Sequence, residues 1–138
     1  MPEMRRVLVV DDHPDAAETI ALLLRLLGHE SVATTTGRAA LAAARASHFD
    51  VAIVDIGLPD VSGHEVAREL RRLPGGQAMY IAAVSGWGQP EDRVRALAAG
   101  FDHHLLKPID RAGVVRIVEL AARAAAARAH AATSGARR

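Results

Sequence analysis

The hydrophobic residues of the chain alternate between short unbroken runs and longer stretches with helical spacing. The first run covers residues 7–10, and apolar residues then recur every three or four positions from Ile20 to Leu27. An unbroken apolar run is typical of a strand buried on both faces, whereas the wider spacing is typical of a helix with one buried face. The same alternation predicts strands at 7–10, 31–34, 51–54, within 78–84 and within 101–108, each followed by a helix.

Residues with particular backbone or capping preferences mark the ends of the predicted helices. Pro14 suits the first turn of the first helix, and Gly28 suits its end. Ser62 and Glu65 have the spacing of a capping box at the start of the third helix. The last helix is predicted to begin near Asp110 and to continue into the Ala-rich sequence that follows residue 121.

Strands that alternate with helices in this way predict an α/β fold with a doubly wound parallel sheet, covered by helices on both faces. In open sheets of this kind, ligands bind outside the carboxyl ends of the strands, near the point where the strand order reverses. The polar residues that directly follow the strands are therefore the candidates for chemistry.

Composition and charge narrow the classes of function. A length of 138 residues suits one domain, and seventeen basic against sixteen acidic residues leave a formal net charge of +1. This balance does not indicate a nucleic-acid or membrane surface. The chain has no cysteine, which excludes disulfides and zinc–thiolate sites. Because no apolar run approaches the roughly 18 residues of a membrane span, we expect a cytoplasmic protein.

The residues at the predicted strand ends form a chemically specific set. They are three carboxylates, one hydroxyl and one ammonium: Asp11, Asp12, Asp55, Ser85 and Lys107. Three carboxylates at one rim repel one another unless a hard divalent cation lies among them, and Mg²⁺ prefers such oxygen ligands. With a metal and a lysine neutralising phosphoryl oxygens, one carboxylate can act as a nucleophile and become an aspartyl phosphate.

These residues resemble a known family, the receiver domain of two-component response regulators. The resemblance runs from about Arg5 to about Leu120 and rests on "VVDD", "VDIGLP", "VSG" and "LLKP", which occur in the expected order at the ends of the expected strands. It implies a flavodoxin-like (βα)5 fold with the strand order 2-1-3-4-5. We therefore divide the chain into a receiver domain at 1–121 and an Ala/Arg-rich helix extension or tail at 122–138.

The resemblance also implies the roles of the acidic residues. Asp55 would be the phosphoacceptor, and Asp12 would bind Mg²⁺ directly. Asp11 would assist largely through water, and the backbone carbonyl of Gly57 would supply another oxygen ligand. The phosphoryl group would come from a sensor histidine kinase or a histidine phosphotransfer protein, so the chain would be a signalling switch rather than an enzyme that turns over an external substrate.

Two further positions would couple phosphorylation to output. Ser85 and Lys107 stand at the family's hydroxyl and lysine positions, and the bond from Lys107 to Pro108 is often cis in the family. His104 stands where the family often has Tyr or Phe. We predict that Ser85 and His104 form a switch pair that acts on the face built by the fourth helix, the fifth strand and the fifth helix. A homodimer through that face is a further expectation.

Several alternatives stay open from the sequence. The chain could be a free-standing regulator or the excised receiver of a hybrid histidine kinase. A haloacid-dehalogenase-like phosphohydrolase would have a second Asp where Gly57 stands, and an interaction module independent of phosphorylation would not need the acceptor set. The segment after the last helix is too short for a DNA-binding domain. Trp87, between two glycines, is expected to anchor a mobile loop and to report on the site.

Overall fold

The computed structural model of the chain describes residues 3–86 and 90–136. Strands and helices alternate along the whole chain. The strands are β1 (Arg6–Val10), β2 (Glu30–Thr34), β3 (Val51–Asp55), β4 (Tyr80–Ser85) and β5 (His103–Leu106). The helices are α1 (Pro14–Leu26), α2 (Gly37–Ala46), α3 (Gly63–Arg72), α4 (Pro90–Ala99) and α5 (Arg111–Ala136).

The five strands form one parallel sheet with the order β2-β1-β3-β4-β5, which confirms the predicted fold class. Val10 pairs with Val54, Asp55 with Val84, and Ser85 with Leu106, so the carboxyl ends of β1, β3, β4 and β5 share one edge. The strand order reverses between β1 and β3. The fold therefore places the residues that follow these strands where a doubly wound sheet binds its ligands.

Helices cover both faces of the sheet, which explains why the central strands are apolar without alternation. On one face, Leu8 and Val54 pack with buried residues of α2, α3 and α4. On the other face, Val9 and Ile53 pack with buried residues of α1 and α5. Consecutive strand residues point to opposite faces, so every position of such a strand must be apolar.

The predicted helix ends are confirmed in most cases. Pro14 lies in the first turn of α1, and Gly28 follows its end with a φ of +93°, a conformation that favours glycine. The Ser62 hydroxyl accepts a hydrogen bond from the Glu65 amide at 3.2 Å. The other half of the capping box is replaced, because the Glu65 carboxylate pairs with Arg68 at 3.2 Å.

Helix α5 runs past the sheet to Ala136, and its side chains are exposed from residue 126 to residue 132. The division of the chain at residue 121 stays a prediction. Among the described residues, 3–86 and 90–136, no helix has the length and apolarity that crossing a membrane requires.

Arg71 connects three segments at the edge of the sheet opposite the strand carboxyl ends. Its guanidinium donates from Nε to the Gly100 carbonyl at 2.9 Å and from Nη1 to the Gly76 carbonyl at 2.9 Å. It also donates to the Met79 carbonyl and pairs with the Asp102 carboxylate at 2.7 Å. The side chain is only 15% exposed. Arg71 therefore holds α3, the segment before β4 and the turn before β5 together.

We expect Arg71→Met to lower the free energy of unfolding by about 2–4 kcal/mol, because it leaves buried carbonyls without a donor. Arg68→Met is the matched control, since Arg68 lies on the same helix and pairs on the surface with Glu65. The Arg68 side chain is 48% exposed. Its loss should cost less than about 1 kcal/mol. Denaturant unfolding measures both values, and equal losses would contradict the role given to Arg71.

Candidate functional site

Two aspartates follow β1 at the rim of the sheet. The Asp11 amide donates to the Thr34 carbonyl at the end of β2 at 3.1 Å, so the backbone still follows the sheet at this point. The buried Asp11 carboxylate accepts the His13 amide at 2.9 Å, which turns the chain into α1. The Asp12 side chain is partly exposed at the same edge. Both carboxylates thus lie at the predicted position.

Asp55 is the last residue of β3, where its pairing with Val84 fixes the backbone. Its side chain is buried, with the residue only 4% exposed. Oδ1 accepts the Gly57 amide at 3.0 Å, and Oδ2 accepts the Lys107 ammonium at 2.8 Å. One carboxylate oxygen is therefore oriented by the backbone and the other by a cation.

Lys107, the only lysine of the chain, follows β5 and links two carboxylates. Its Nζ lies 2.8 Å from Asp55 Oδ2 and 3.7 Å from Asp11 Oδ2. Burial lowers the pKa of Lys107, but the hydrogen bond and charge of Asp55 and the charges of the Asp11 and Asp12 carboxylates outweigh it and raise the pKa above its usual value. The ammonium therefore stays charged at neutral pH. The bond from Lys107 to Pro108 is cis.

Ser85 and His104 are in direct contact at the end of β4. The Ser85 Oγ lies 2.7 Å from His104 Nε2, so the predicted pair is hydrogen-bonded. The Lys107 amide donates to the Ser85 carbonyl at 2.8 Å, which fixes the backbone of β5 beside that of β4. Whether the pair acts as a switch stays a prediction.

The donor set at the rim fits a hard divalent cation. Ligand atoms of Asp11, Asp12 and His13 lie within 4.8 Å of one another, and Lys107 joins Asp55 to this cluster. The carboxylate oxygens are the ligands that Mg²⁺ prefers, whereas an imidazole nitrogen is not. His13 is not among the residues predicted for the site, but its Nδ1 lies 3.1 Å from Asp12 Oδ1. Its place directly after two aspartates was the available signal.

The structure brings Asp11, Asp12, Asp55 and Lys107 to one rim, and it places Ser85 at the end of the neighbouring strand. Gly57 lies beside Asp55 and donates its amide to the carboxylate, while a role for its carbonyl stays a prediction. The interpretation of Trp87 as a loop anchor concerns a residue outside the described ranges.

Comparison with known proteins identifies the family. Residues 7–119 match the model of the response regulator receiver domain. The chain belongs to this family. Receiver domains are signalling modules of two-component systems rather than enzymes that turn over an external substrate.

The receiver is similar in sequence to parts of longer proteins. It is 39% identical over 110 residues to the probable transcriptional regulatory protein TcrX of Mycobacterium tuberculosis, which covers 79% of this chain and 46% of TcrX. It is 38% identical over 109 residues to the virulence sensor protein BvgS of Bordetella pertussis, which covers 75% of this chain and 9% of BvgS. The receiver thus spans less than half the length of either relative.

Solved structures share the fold over nearly their whole length. The chemotaxis response regulator CheY4 of Vibrio cholerae superposes with a TM-score of 0.81 at 27% identity, covering 86% of this receiver and 99% of CheY4. The receiver domain of the sensor histidine kinase PA1611 of Pseudomonas aeruginosa has a TM-score of 0.78 at 29% identity. The superposition covers 87% of this receiver and 98% of the PA1611 domain. That structure has a magnesium ion coordinated in its active-site cleft.

Proposed function

We propose that this receiver is a phosphorylation-dependent switch that takes a phosphoryl group onto Asp55 in a Mg²⁺-dependent reaction. The donor is a sensor histidine kinase or a histidine phosphotransfer protein. The observation that carries the proposal is the buried Asp55 carboxylate, which lies 2.8 Å from the Lys107 ammonium beside the acidic pair that follows β1. An aspartate with only a structural role would not need a pair of further carboxylates beside it.

The residues of the rim have two different roles, which are to hold the cation and to orient the Asp55 carboxylate. Asp11, Asp12, Asp55 and the carbonyl of Gly57 would hold Mg²⁺, which when bound would neutralise phosphoryl oxygens as they approach the carboxylates. The Lys107 ammonium holds one oxygen of Asp55 and leaves the other oriented by the Gly57 amide. Because both contacts exist before a donor arrives, the nucleophile is positioned in advance.

The proposed reaction is a single phosphoryl transfer. An oxygen of the Asp55 carboxylate attacks the phosphorus of the donor's phosphohistidine and forms a new P–O bond. The P–N bond breaks, and the imidazole nitrogen leaves with the electron pair and takes up a proton. The product is an aspartyl phosphate, whose oxygens Lys107 and the Ser85 hydroxyl can contact.

The two settings of a receiver remain alternatives for this chain. The similarity to TcrX fits a response regulator, and the similarity to BvgS fits the receiver of a hybrid sensor kinase. A haloacid-dehalogenase-like phosphohydrolase is set aside, because the chain belongs to the receiver family and Gly57 stands where the second Asp would be. We place the exchange in the cytoplasm, where kinase and receiver would meet.

The output face would be built by α4, β5 and α5. Val94 and Leu97 on α4 are each 66% exposed, and Leu106 on β5 is 51% exposed. Exposed apolar side chains grouped on neighbouring elements suit a protein partner or a second copy of the receiver. The Ser85–His104 contact lies between this face and Asp55, so it can couple the two.

The direct test is incubation of the purified protein with a small-molecule phosphodonor and Mg²⁺, followed by intact-mass measurement. One phosphoryl group should be gained with Mg²⁺ and almost none in the presence of a chelator, because unneutralised carboxylates repel the incoming phosphate. Equal gain with and without chelator would refute the role given to the metal.

The switch role of Ser85 and His104 predicts a pH-dependent response. A phosphoryl group should draw the Ser85 hydroxyl away from His104, which then moves inward. An imidazole gains a proton in mild acid, and a charged ring is harder to move into a less solvated slot, so the response should weaken there. We expect chemical-shift changes on α4 and β5, induced by a fluoroberyllate mimic, to shrink by about half from pH 7.5 to pH 6.

His104→Tyr is the control for this prediction, because a phenol stays neutral over the same range. Its response should be the same at both pH values. If the native protein and His104→Tyr depend on pH in the same way, His104 takes no part in the switch and the signal leaves the site by another route.

A further inference from the structure

The loop of residues 56–62 joins Asp55 to α3 and carries Gly57. Its two ends meet, because the Gly63 amide donates to the Ile56 carbonyl at 3.0 Å. Gly63 also packs so closely on the strand that a Cβ placed there would lie 2.5 Å from the Asp55 carbonyl oxygen. The start of α3 therefore rests on the backbone of Asp55. These contacts fix the two ends of the loop but not the residues between them.

Asp60 ties this loop to α2. Its Oδ1 accepts the Gly37 amide at 2.9 Å, and its Oδ2 accepts the Arg38 amide at 3.0 Å. Both amides belong to the first turn of α2, where the positive end of the helix dipole favours a carboxylate. The hydrogen bonds from the backbone amides of Arg38 and Gly37 lower the pKa of Asp60 to about 2. The carboxylate is therefore charged throughout the physiological range.

The same contact is supported by close packing. A Cβ at Gly37 would lie 3.0 Å from both Val61 Cβ and Val66 Cγ2. A side chain at position 37 would push the loop and α3 away from α2. The glycine permits the approach, and Asp60 holds it.

Helix α2 already has a cap of its own. The Thr36 hydroxyl accepts the Ala39 amide at 3.0 Å. This is the ordinary way to satisfy an amide at a helix start, and it comes from the residue that precedes α2. The carboxylate of Asp60 comes instead from 23 positions further along the chain. Its two hydrogen bonds thus fix the loop to α2 as much as they cap the helix.

We propose that Asp60 is a positioning residue for the phosphorylation site: by binding the start of α2, it fixes the loop so that the Gly57 carbonyl is held for the cation beside Asp55. This inference rests on the proposed function. Gly57 is three residues from Asp60 in the same closed loop, so a displacement at Asp60 is transmitted to it through few bonds. Within residues 3–86 and 90–136, no contact joins Asp60 to the carboxylate of Asp55, so its proposed effect is indirect.

The test compares Asp60→Asn with Thr36→Ala. Asn places an NH2 group against a backbone N–H and removes the charge, whereas Thr36→Ala weakens the same helix end and leaves the loop untouched. Both should lower the unfolding temperature by about 3 °C in the absence of Mg²⁺. Only Asp60→Asn should raise the dissociation constant for Mg²⁺, measured calorimetrically, by about threefold to tenfold. At saturating Mg²⁺ its phosphorylation rate should return to within about twofold of the native rate.

Gly37→Ala tests the contact from the α2 side and should raise the same Mg²⁺ constant. If Asp60→Asn proves too unstable to assay, the Mg²⁺ dissociation constant of Gly37→Ala tests the inference in its place. The inference would be overturned if the folded variants among Asp60→Asn and Gly37→Ala had the same dissociation constant for Mg²⁺ as Thr36→Ala. A native protein that neither binds Mg²⁺ nor gains a phosphoryl group would overturn the proposed function itself, so the two failures are distinguishable.

Discussion

Asp55→Asn is expected to gain no phosphoryl group under conditions in which the native protein gains one. The carboxamide has neither the charge nor the nucleophilic oxygen that the transfer needs, and Lys107 loses the charged partner that lies 2.8 Å away. We expect the rate of mass gain to fall by at least about a hundredfold. Intact-mass measurement over time in the presence of Mg²⁺ gives the comparison.

Asp15→Asn is the matched control for this result. Asp15 is an exposed aspartate in the first turn of α1, close to the rim in sequence but without a contact to Lys107 among those found in the described residues. It should gain one phosphoryl group at close to the native rate. Phosphorylation of Asp55→Asn at the native rate would show that the acceptor is not Asp55, and a loss in both variants would show that the effect is not specific to position 55.

Lys107→Ala should change two properties of the site in opposite directions. Without the ammonium, the developing charge on the phosphoryl oxygens loses a donor, and the phosphorylation rate at saturating Mg²⁺ should fall about a hundredfold. The acidic cluster also loses a positive charge that lies 3.7 Å from Asp11 Oδ2. The cation should therefore bind severalfold more tightly, because it no longer meets this repulsion.

The opposite signs separate a specific role from general damage. Misfolding would weaken Mg²⁺ binding and phosphorylation together. Lys107→Arg keeps the charge in a different shape, so it should retain native-like Mg²⁺ affinity and an intermediate rate. Weaker Mg²⁺ binding by Lys107→Ala, with Lys107→Arg unchanged, would contradict the placement of the ammonium among the carboxylates.

The sequence is sufficient to predict the fold and the rim because both follow from local patterns. Unbroken apolar runs identify strands covered on both faces, and parallel strands bring their carboxyl ends to one edge. Asp11 and Asp55, far apart in sequence, are thereby brought together without knowledge of any single contact. The pairing of Ser85 with His104 comes instead from the resemblance to receiver domains, and the structure brings the two residues into contact from the neighbouring strands β4 and β5.

Other contacts have no local signal. Asp60 reads as a turn residue, and only the tertiary structure shows that its carboxylate meets the start of α2. Arg71 reads as a solvated helix residue but binds carbonyls of two other segments. Glu65 has the right spacing for a capping box, yet Arg68 offers its carboxylate a competing partner. In each case, a polar side chain has several possible partners, and sequence spacing cannot rank them.

The most direct test of the account is chemical trapping of the phosphorylated residue. The native protein, treated with a phosphodonor and Mg²⁺, is reduced with borohydride, which converts an aspartyl phosphate to homoserine, and the position is located by tandem mass spectrometry. We expect homoserine at position 55 and no conversion when Mg²⁺ is chelated. Homoserine at position 11 or 12, or an acid-stable phosphate on a hydroxyl such as that of Ser85, would contradict it.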